Sequence, residues 1–291
     1  MKRKESKTIQ LRKIFKTLFE KISVMLILVV GIIFFGFPLF WMISTSLKTT
    51  SQLNLYPPLF WPKPAMWKNY VEALNFLPFG LFFKNTLIIA IFFVIGNLLS
   101  CTFIAYGFAR FRFPGRNILF IILISTMMIP LVVRLIPLFI LFKKLGWINT
   151  YYPFIVPAFF GDSFFIFLIR QFYRSIPFDI SNAALIDGCS HIGVWWRIMI
   201  PMSKPVLAAV TIFAFQRVWN DFLAPLIFLT KTEMKTLSVG LQAFTGGVST
   251  TVELWNLLMA ATTVFVLPVI IIFIFAQKYF VKGITMTGLR G

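Results

Sequence analysis

Six runs of predominantly apolar residues, at 22–46, 85–109, 118–141, 153–173, 205–229 and 258–280, restrict this chain to one kind of fold. Each is long enough to cross a hydrocarbon core about 30 Å thick as an α-helix, which takes about 20 residues. In lipid, backbone N–H and C=O groups must be satisfied within the segment, and a helix does this where an open strand does not. The sequence therefore predicts an all-α membrane protein with six transmembrane helices. Its mean hydropathy of +0.87 agrees, because 291 residues that are 59% hydrophobic carry more apolar surface than a soluble domain could bury.

The cations fix the expected orientation. Of the 28 Lys and Arg, eighteen fall on one side, in the segments between spans or, as Arg170 and Lys278, at the span ends that adjoin them, and eight on the other, with Arg134 and Arg217 deeper inside spans. The richer side is the cytoplasm by the positive-inside rule, which places both termini there. The net charge of +19 thus reads as topology and not as a nucleic-acid surface, because the cations lie between apolar runs.

Residues 1–21 form a basic N-terminal segment, 22–280 the six-helix domain and 281–291 a cytoplasmic tail. Leu11, Ile14, Phe15 and Leu18 recur at helical spacing opposite Arg12, Lys13 and Lys16. Such a segment is either an interfacial helix on the inner membrane surface or a basic tail that only sets topology. The run at 22–46 is too long for the apolar core of a signal peptide and lacks a small-residue exit, so it reads as a retained helix.

Catalysis has little to stand on. Cys101 lies in an apolar run and Cys189 in a polar loop, which gives no disulfide framework, and a single histidine, His191, makes no metal cluster. There is no G-x-x-x-x-G-K-[ST] loop to cradle ATP phosphates, no paired carboxylates and no nucleophile with a base.

The inner loop at 174–204 is neither simply polar nor long enough to span. Pro177 opens a helix, Ala183 and Ala184 give it a narrow face, and Gly188 supplies the positive φ that ends it. A second short helix through Val194 to Ile200 stops before Pro201. Exposed small residues on a helix suit docking in a partner's groove, while the alternative is an amphipathic linker lying in the headgroups.

This loop resembles the EAA loop of ABC importer permeases, through Ala183, Ala184, Gly188, Ile198 and Pro201, with Asp187-Gly188 resembling the carbohydrate branch. Asn182 stands where the family has Glu, and Ile200 where it has Leu. The resemblance extends over nearly the whole chain. It includes Phe37-Pro38, Ser44 to Lys48, Asn69-Tyr70, Met128-Ile129-Pro130, Ile136-Pro137-Leu138, Asn149-Thr150, Phe167 to Phe172, Trp219 to Phe222, Pro225-Leu226, Gln277 to Phe280 and Gly283.

What the resemblance implies is a type I ABC importer permease fold in the bacterial inner membrane. It implies a coupling helix seated in a nucleotide-binding subunit, and half of a translocation pathway for a carbohydrate or a related solute such as a phosphorylated polyol. Its implied partners are a second homologous permease, two ATPase subunits that hold ATP and Mg, and an extracytoplasmic sugar-binding protein. The chain itself would bind no cofactor.

Polar residues inside spans are the remaining signal, since a central charge costs roughly 2.5–3.5 kcal/mol on insertion scales. Arg217, Asn220 and Asp221 are spaced to share one helical face, with Trp219 beside them. This face either lines the pathway for a sugar or packs structurally, with Arg217 and Asp221 neutralising each other. Arg134 lines the pathway or snorkels outward, and Asp162 is placed to pair with either arginine. Guanidinium groups here would suit an acidic sugar. A channel or ion-coupled transporter is the competing class, and the coupling loop argues against it.

Overall fold

The computed structural model describes residues 2–245 and 254–287, with side chains for 18–275 and 277 within them. Among the described residues there is no strand. In chain order the helices used below are α1 (Lys2–Ser46), α2 (Phe79–Arg110), α3 (Arg116–Ser125), α4 (Leu131–Lys144), α5 (Ser163–Ser175), α6 (Phe178–Ile186), α7 (His191–Met202), α8 (Lys204–Trp219), α9 (Leu223–Phe228) and α10 (Trp255–Thr287).

Four stretches are long and apolar enough to cross a membrane: Leu18–Ser46, Phe79–Arg110, Tyr152–Ser175 and Trp255–Phe275. Two further pairs qualify only if each bent pair is one span, Arg116–Met128 with Leu131–Lys144 at 97° and His191–Met202 with Lys204–Trp219 at 81°.

The 97° bend falls inside the third predicted span, the 81° bend just before the fifth, and the fifth is broken separately near its far end. At 118–141 the helix stops before Pro130, which has no N–H to donate and forces Ile129 into the extended region, at φ −81° and ψ 112°. At 205–229 the helix ends at Trp219, Asn220 caps it, and the chain restarts as α9 after Phe222. At the N-terminus α1 runs from Lys2 to Ser46 with no break near residue 21. At the other end α10 continues through 281–287, and 288–291 lie outside the described residues.

The chain divides into two compact units: one runs up to Ala73 and takes in residues through Thr263 of α10, and the other holds the remainder. In the first, α1 leaves large apolar side chains such as Phe34 and Phe35 more than 70% exposed, as a lipid-facing helix does. Its C-terminal end is tied down by polar bonds instead. Asn69 Nδ2 donates to the carbonyls of Ser46 and Lys48 at 2.8 and 2.9 Å, and Asn256 Nδ2 reaches the Lys48 carbonyl at 3.3 Å. The Lys48 side chain is folded under this knot against Trp41, and burial pushes its ammonium pKa down.

The second unit is built on α2, whose small and polar positions Gly96, Cys101, Ala105 and Ala109 let other backbones approach closely. A Cβ at Gly96 would lie 2.9 Å from the Phe159 ring. Phe165, Ile169, Tyr173, Met199, Val210 and Ala214 close the core from α5, α7 and α8. Asn85 at the start of α2 has both ends of its amide occupied. Its Nδ2 donates to the Glu233 and Lys235 carbonyls at 2.8 and 3.0 Å, and its Oδ1 accepts from Tyr151 Oη at 2.7 Å.

Candidate functional site

Two regions concentrate the candidate functional residues. The first is a cavity of about 270 Å³ at the breaks before α4 and after α8, lined by Arg134, Arg217 and Asp221 together with Phe93, Phe154 and Phe228. That volume is just under the range of about 300–1,000 Å³ usual for ligand sites, so it suits a small ligand or one unit of a larger one.

Arg217 does not pair with Asp221. The four-residue spacing brings side chains together only while the helix continues, and α8 ends two residues earlier. Arg217 Nη1 instead meets Asp162 Oδ2 at 2.6 Å. The Asp162 carboxylate also caps α5, with Oδ1 accepting from Phe164 N at 3.0 Å and Phe165 N at 3.4 Å. One carboxylate thus fixes both the start of a helix and the cation at the end of another. Asp221 performs the same local service for α9, where its Oδ1 accepts from Ala224 N at 3.3 Å.

The other predicted pathway residues separate. Trp219 is fully buried, stacks on Phe215 and Phe265 and donates its indole N–H to the Phe265 carbonyl at 3.1 Å. It supports the end of α8 and presents no ring to a passing sugar. Asn220 is exposed and is not part of the cavity lining. Arg134 is exposed, lines the cavity and has no ion pair among the described residues. With Asp162 and Asp221 counted against the two arginines, the site is formally balanced, and among its described residues Arg134 is the cation without an ion pair.

Breaking the 2.6 Å pair tests its role. Arg217→Gln or Asp162→Asn alone is expected to cost about 0.5–1 kcal/mol, the worth of a partly exposed ion pair. The double variant costs little more than either single one, since the pair is lost only once and Asn still caps α5. Thermal unfolding of the four purified forms measures the cycle, and strictly additive losses would show that the pair is incidental.

The second region is the loop between α5 and α8. α6 opens after Pro177 and closes as expected at Gly188, whose φ is +83°. Gly188 N donates to Leu185 O at 3.1 Å and Cys189 N to Ala184 O at 2.9 Å, the double bond pattern that seals a helix end with a left-handed residue. Ser190 Oγ then accepts from Gly193 N at 3.1 Å and starts α7.

α7 does not stop before Pro201. Residues Trp195–Met199 form a π turn, in which Ile200 N donates to Trp195 O. The wider turn restarts the register, so Pro201 falls in the first turn of the following segment, where its missing N–H is not needed.

The motif residues sort by exposure. Ala184 and Ile198 pack against the core, whereas Asn182, Ala183, Asp187, Gly188 and Pro201 face outward. Around the exposed set stand large apolar side chains that the motif did not flag: Ile186 at 86% exposure, Ile192 at 65% and Trp196 at 55%. Exposed apolar groups of this size, crowded on one short loop, mark a contact surface.

Arg110 was also missed, because a cation at the end of a span reads simply as topology. Its Nη2 donates to the Ile176 carbonyl at 3.0 Å and touches Met199 Sδ at 3.7 Å, and its guanidinium lies 4.5 Å from the Phe178 ring. α2 is thereby joined to both ends of the loop.

The comparisons agree with this architecture. Residues 99–286 match the family described as binding-protein-dependent transport system inner membrane component. The arabinooligosaccharides transport system permease protein AraQ of Bacillus subtilis (strain 168) is 37% identical over 262 residues, 88% of this chain and 90% of that one. The sulfoquinovosyl glycerol transport system permease protein SmoH of Agrobacterium fabrum is 32% identical over 256 residues, 88% and 89% of the two chains. A crystal structure of a bacterial ABC transporter involved in the import of the acidic polysaccharide alginate superposes with a TM-score of 0.78. It covers 89% of this chain and 95% of that one, at 24% identity, and so speaks for the fold.

Proposed function

This chain belongs to the family of binding-protein-dependent transport inner membrane components, and from that premise we propose that it is one permease half of an ATP-driven carbohydrate importer. The observation that carries the coupling role is the loop itself. It is rigidly closed by Gly188, anchored by Arg110, and outwardly apolar through Ile186, Ile192 and Trp196. A loop that only lay among headgroups would have no need to be clamped to the end of a spanning helix.

In this reading the loop docks on an ATPase subunit, which holds ATP and Mg, and two such subunits serve this chain and a second homologous permease. Both termini lie in the cytoplasm. An extracytoplasmic binding protein delivers the solute, and the chain itself catalyses nothing. Relatives named for arabinooligosaccharides and for sulfoquinovosyl glycerol support a glycan or glycoside as the solute. The charge-balanced cavity admits a neutral sugar, and Arg134 extends that to an acidic one.

The test is purification of the chain from its native membrane, followed by ATPase assays with binding proteins loaded with neutral or acidic oligosaccharides. The expected result is recovery of a second permease and two ATPase subunits, with hydrolysis stimulated by one loaded sugar. Recovery of the chain alone, with solute flux in the absence of ATP, would refute the proposal.

A further inference from the structure

We propose that the arginines gathered where α2, α3 and α5 end or begin form a binding site for the phosphate of an anionic phospholipid. Arg170 of α5 is 6% exposed, lies 3.7 Å over the Phe120 ring of α3, and donates its Nε to the Phe108 carbonyl of α2 at 3.4 Å. That carbonyl is its one hydrogen-bond partner among the described residues. Arg174 follows it by one turn on α5, and Arg116 precedes Phe120 by one turn on α3, so two like charges stand in its neighbourhood.

A nearly buried cation with like charges beside it is costly unless an anion is near. The two ion pairs found among the described residues, Lys68 with Glu72 and Arg217 with Asp162, involve none of Arg112, Arg116, Arg170 or Arg174. Among the described residues, positive charge therefore gathers here without an ion-pair partner.

The shape of the surroundings identifies what supplies it. Arg112, Arg116 and Asn117 line a hollow of about 320 Å³ whose other walls include Phe113 and Ile118. From there α3 carries an exposed apolar stripe, with Ile118, Leu119, Ile121 and Ile122 each more than half exposed. Guanidinium groups at one end and an apolar stripe leading away from them match a phospholipid, headgroup and acyl chain together. A free phosphate would use the first and have no use for the second.

The cluster lies at the end of the molecule that carries the α6–α7 loop, since α5 ends at Ser175 and Arg110 binds the Ile176 carbonyl. In the proposed function that is the cytoplasmic face, where anionic lipids and basic pockets between helices meet. The assignment to that leaflet rests on the transporter reading, and the unpaired charge does not.

Native mass spectrometry of the purified complex, delipidated and titrated with phosphatidylglycerol, phosphatidylcholine or inorganic phosphate, tests the site. Phosphatidylglycerol is expected to be retained over phosphatidylcholine. Arg174→Gln weakens that retention about fivefold and the double variant with Arg116→Gln about 25-fold, at about 1 kcal/mol for each arginine near an anionic headgroup. Lys144→Gln, the same charge loss elsewhere, leaves it unchanged, and melting temperatures confirm that the variants are folded.

Equal retention of the two lipids, an unaffected double variant, or an equal effect from Lys144→Gln overturns the site. Displacement of the lipid by inorganic phosphate at matching concentration assigns it to a free anion and overturns the lipid. Because binding is read from mass, the result stands whether or not sugar transport is found.

Discussion

An Ile186→Asp chain is expected to insert and fold like the parent while losing its hold on the ATPase subunit about 30-fold. Ile186 is 86% exposed at the last turn of α6, so the substitution disturbs no core contact. In the assembled importer that side chain would enter the partner's cleft, where burying a carboxylate without a counter-ion costs far more than losing an apolar contact. A central interface residue is worth 2 kcal/mol or more, which is the factor of about 30. Trp196→Ala acts in the same direction by removing the neighbouring ring. Copurification of the ATPase and basal hydrolysis by the complex give the readout. Normal recovery of a fully active complex from folded Ile186→Asp protein would show that this face is not the docking surface.

The same residues show where sequence reasoning succeeds and where it stops. Pro177 and Gly188 announce the ends of α6 because each acts through its own backbone, one by lacking an N–H and the other by tolerating a φ of +83°. Nothing local says that Ile186 faces out and Ala184 faces in, because both belong to a mostly apolar helix and the sorting comes from what α6 packs against.

The cavity illustrates the opposite error. The spacing of Arg217 and Asp221 is sound helical geometry, applied across a helix end that the apolar run conceals. Asp162 was nameable as a partner, but its choice of Arg217 depends on contact between residues 55 apart in sequence. Likewise Pro130 marks a break in the third span, while the proline alone does not fix the turn there at 97°. Arg110 and Arg170 carry another lesson: a count of cations assigns sides of a membrane and is silent on which of those cations are buried.

Gly161→Ala is expected to destabilise the protein by about 2–4 kcal/mol and to lower transport with it. Gly161 has φ +93° and ψ 148°, a region that residues with a Cβ enter at a cost of about 1–3 kcal/mol. The added methyl would also lie 2.8 Å from Ile104 Cδ1 and 3.0 Å from Ile166 Cδ1, the far ends of two side chains that can turn aside, so overpacking adds only about 1 kcal/mol, the low end of its usual range. The consequence reaches the cavity because Asp162 is the next residue. Its N–H donates to Cys101 Sγ at 3.2 Å, its Oδ1 caps α5 and its Oδ2 holds Arg217. A shift of the backbone at Gly161 therefore moves the carboxylate on which the end of α8 depends. Gly146 separates strain from clash: its φ is +70° but a Cβ there meets nothing within 4 Å. Gly146→Ala carries a penalty of only about 1–2 kcal/mol, that of a left-handed backbone alone. Thermal unfolding of the two variants, with uptake measured on the same preparations, distinguishes the terms. Equal and small losses for both would mean that the tight contact at Gly161 relaxes without cost and that Asp162 is held by something other than its neighbour's geometry.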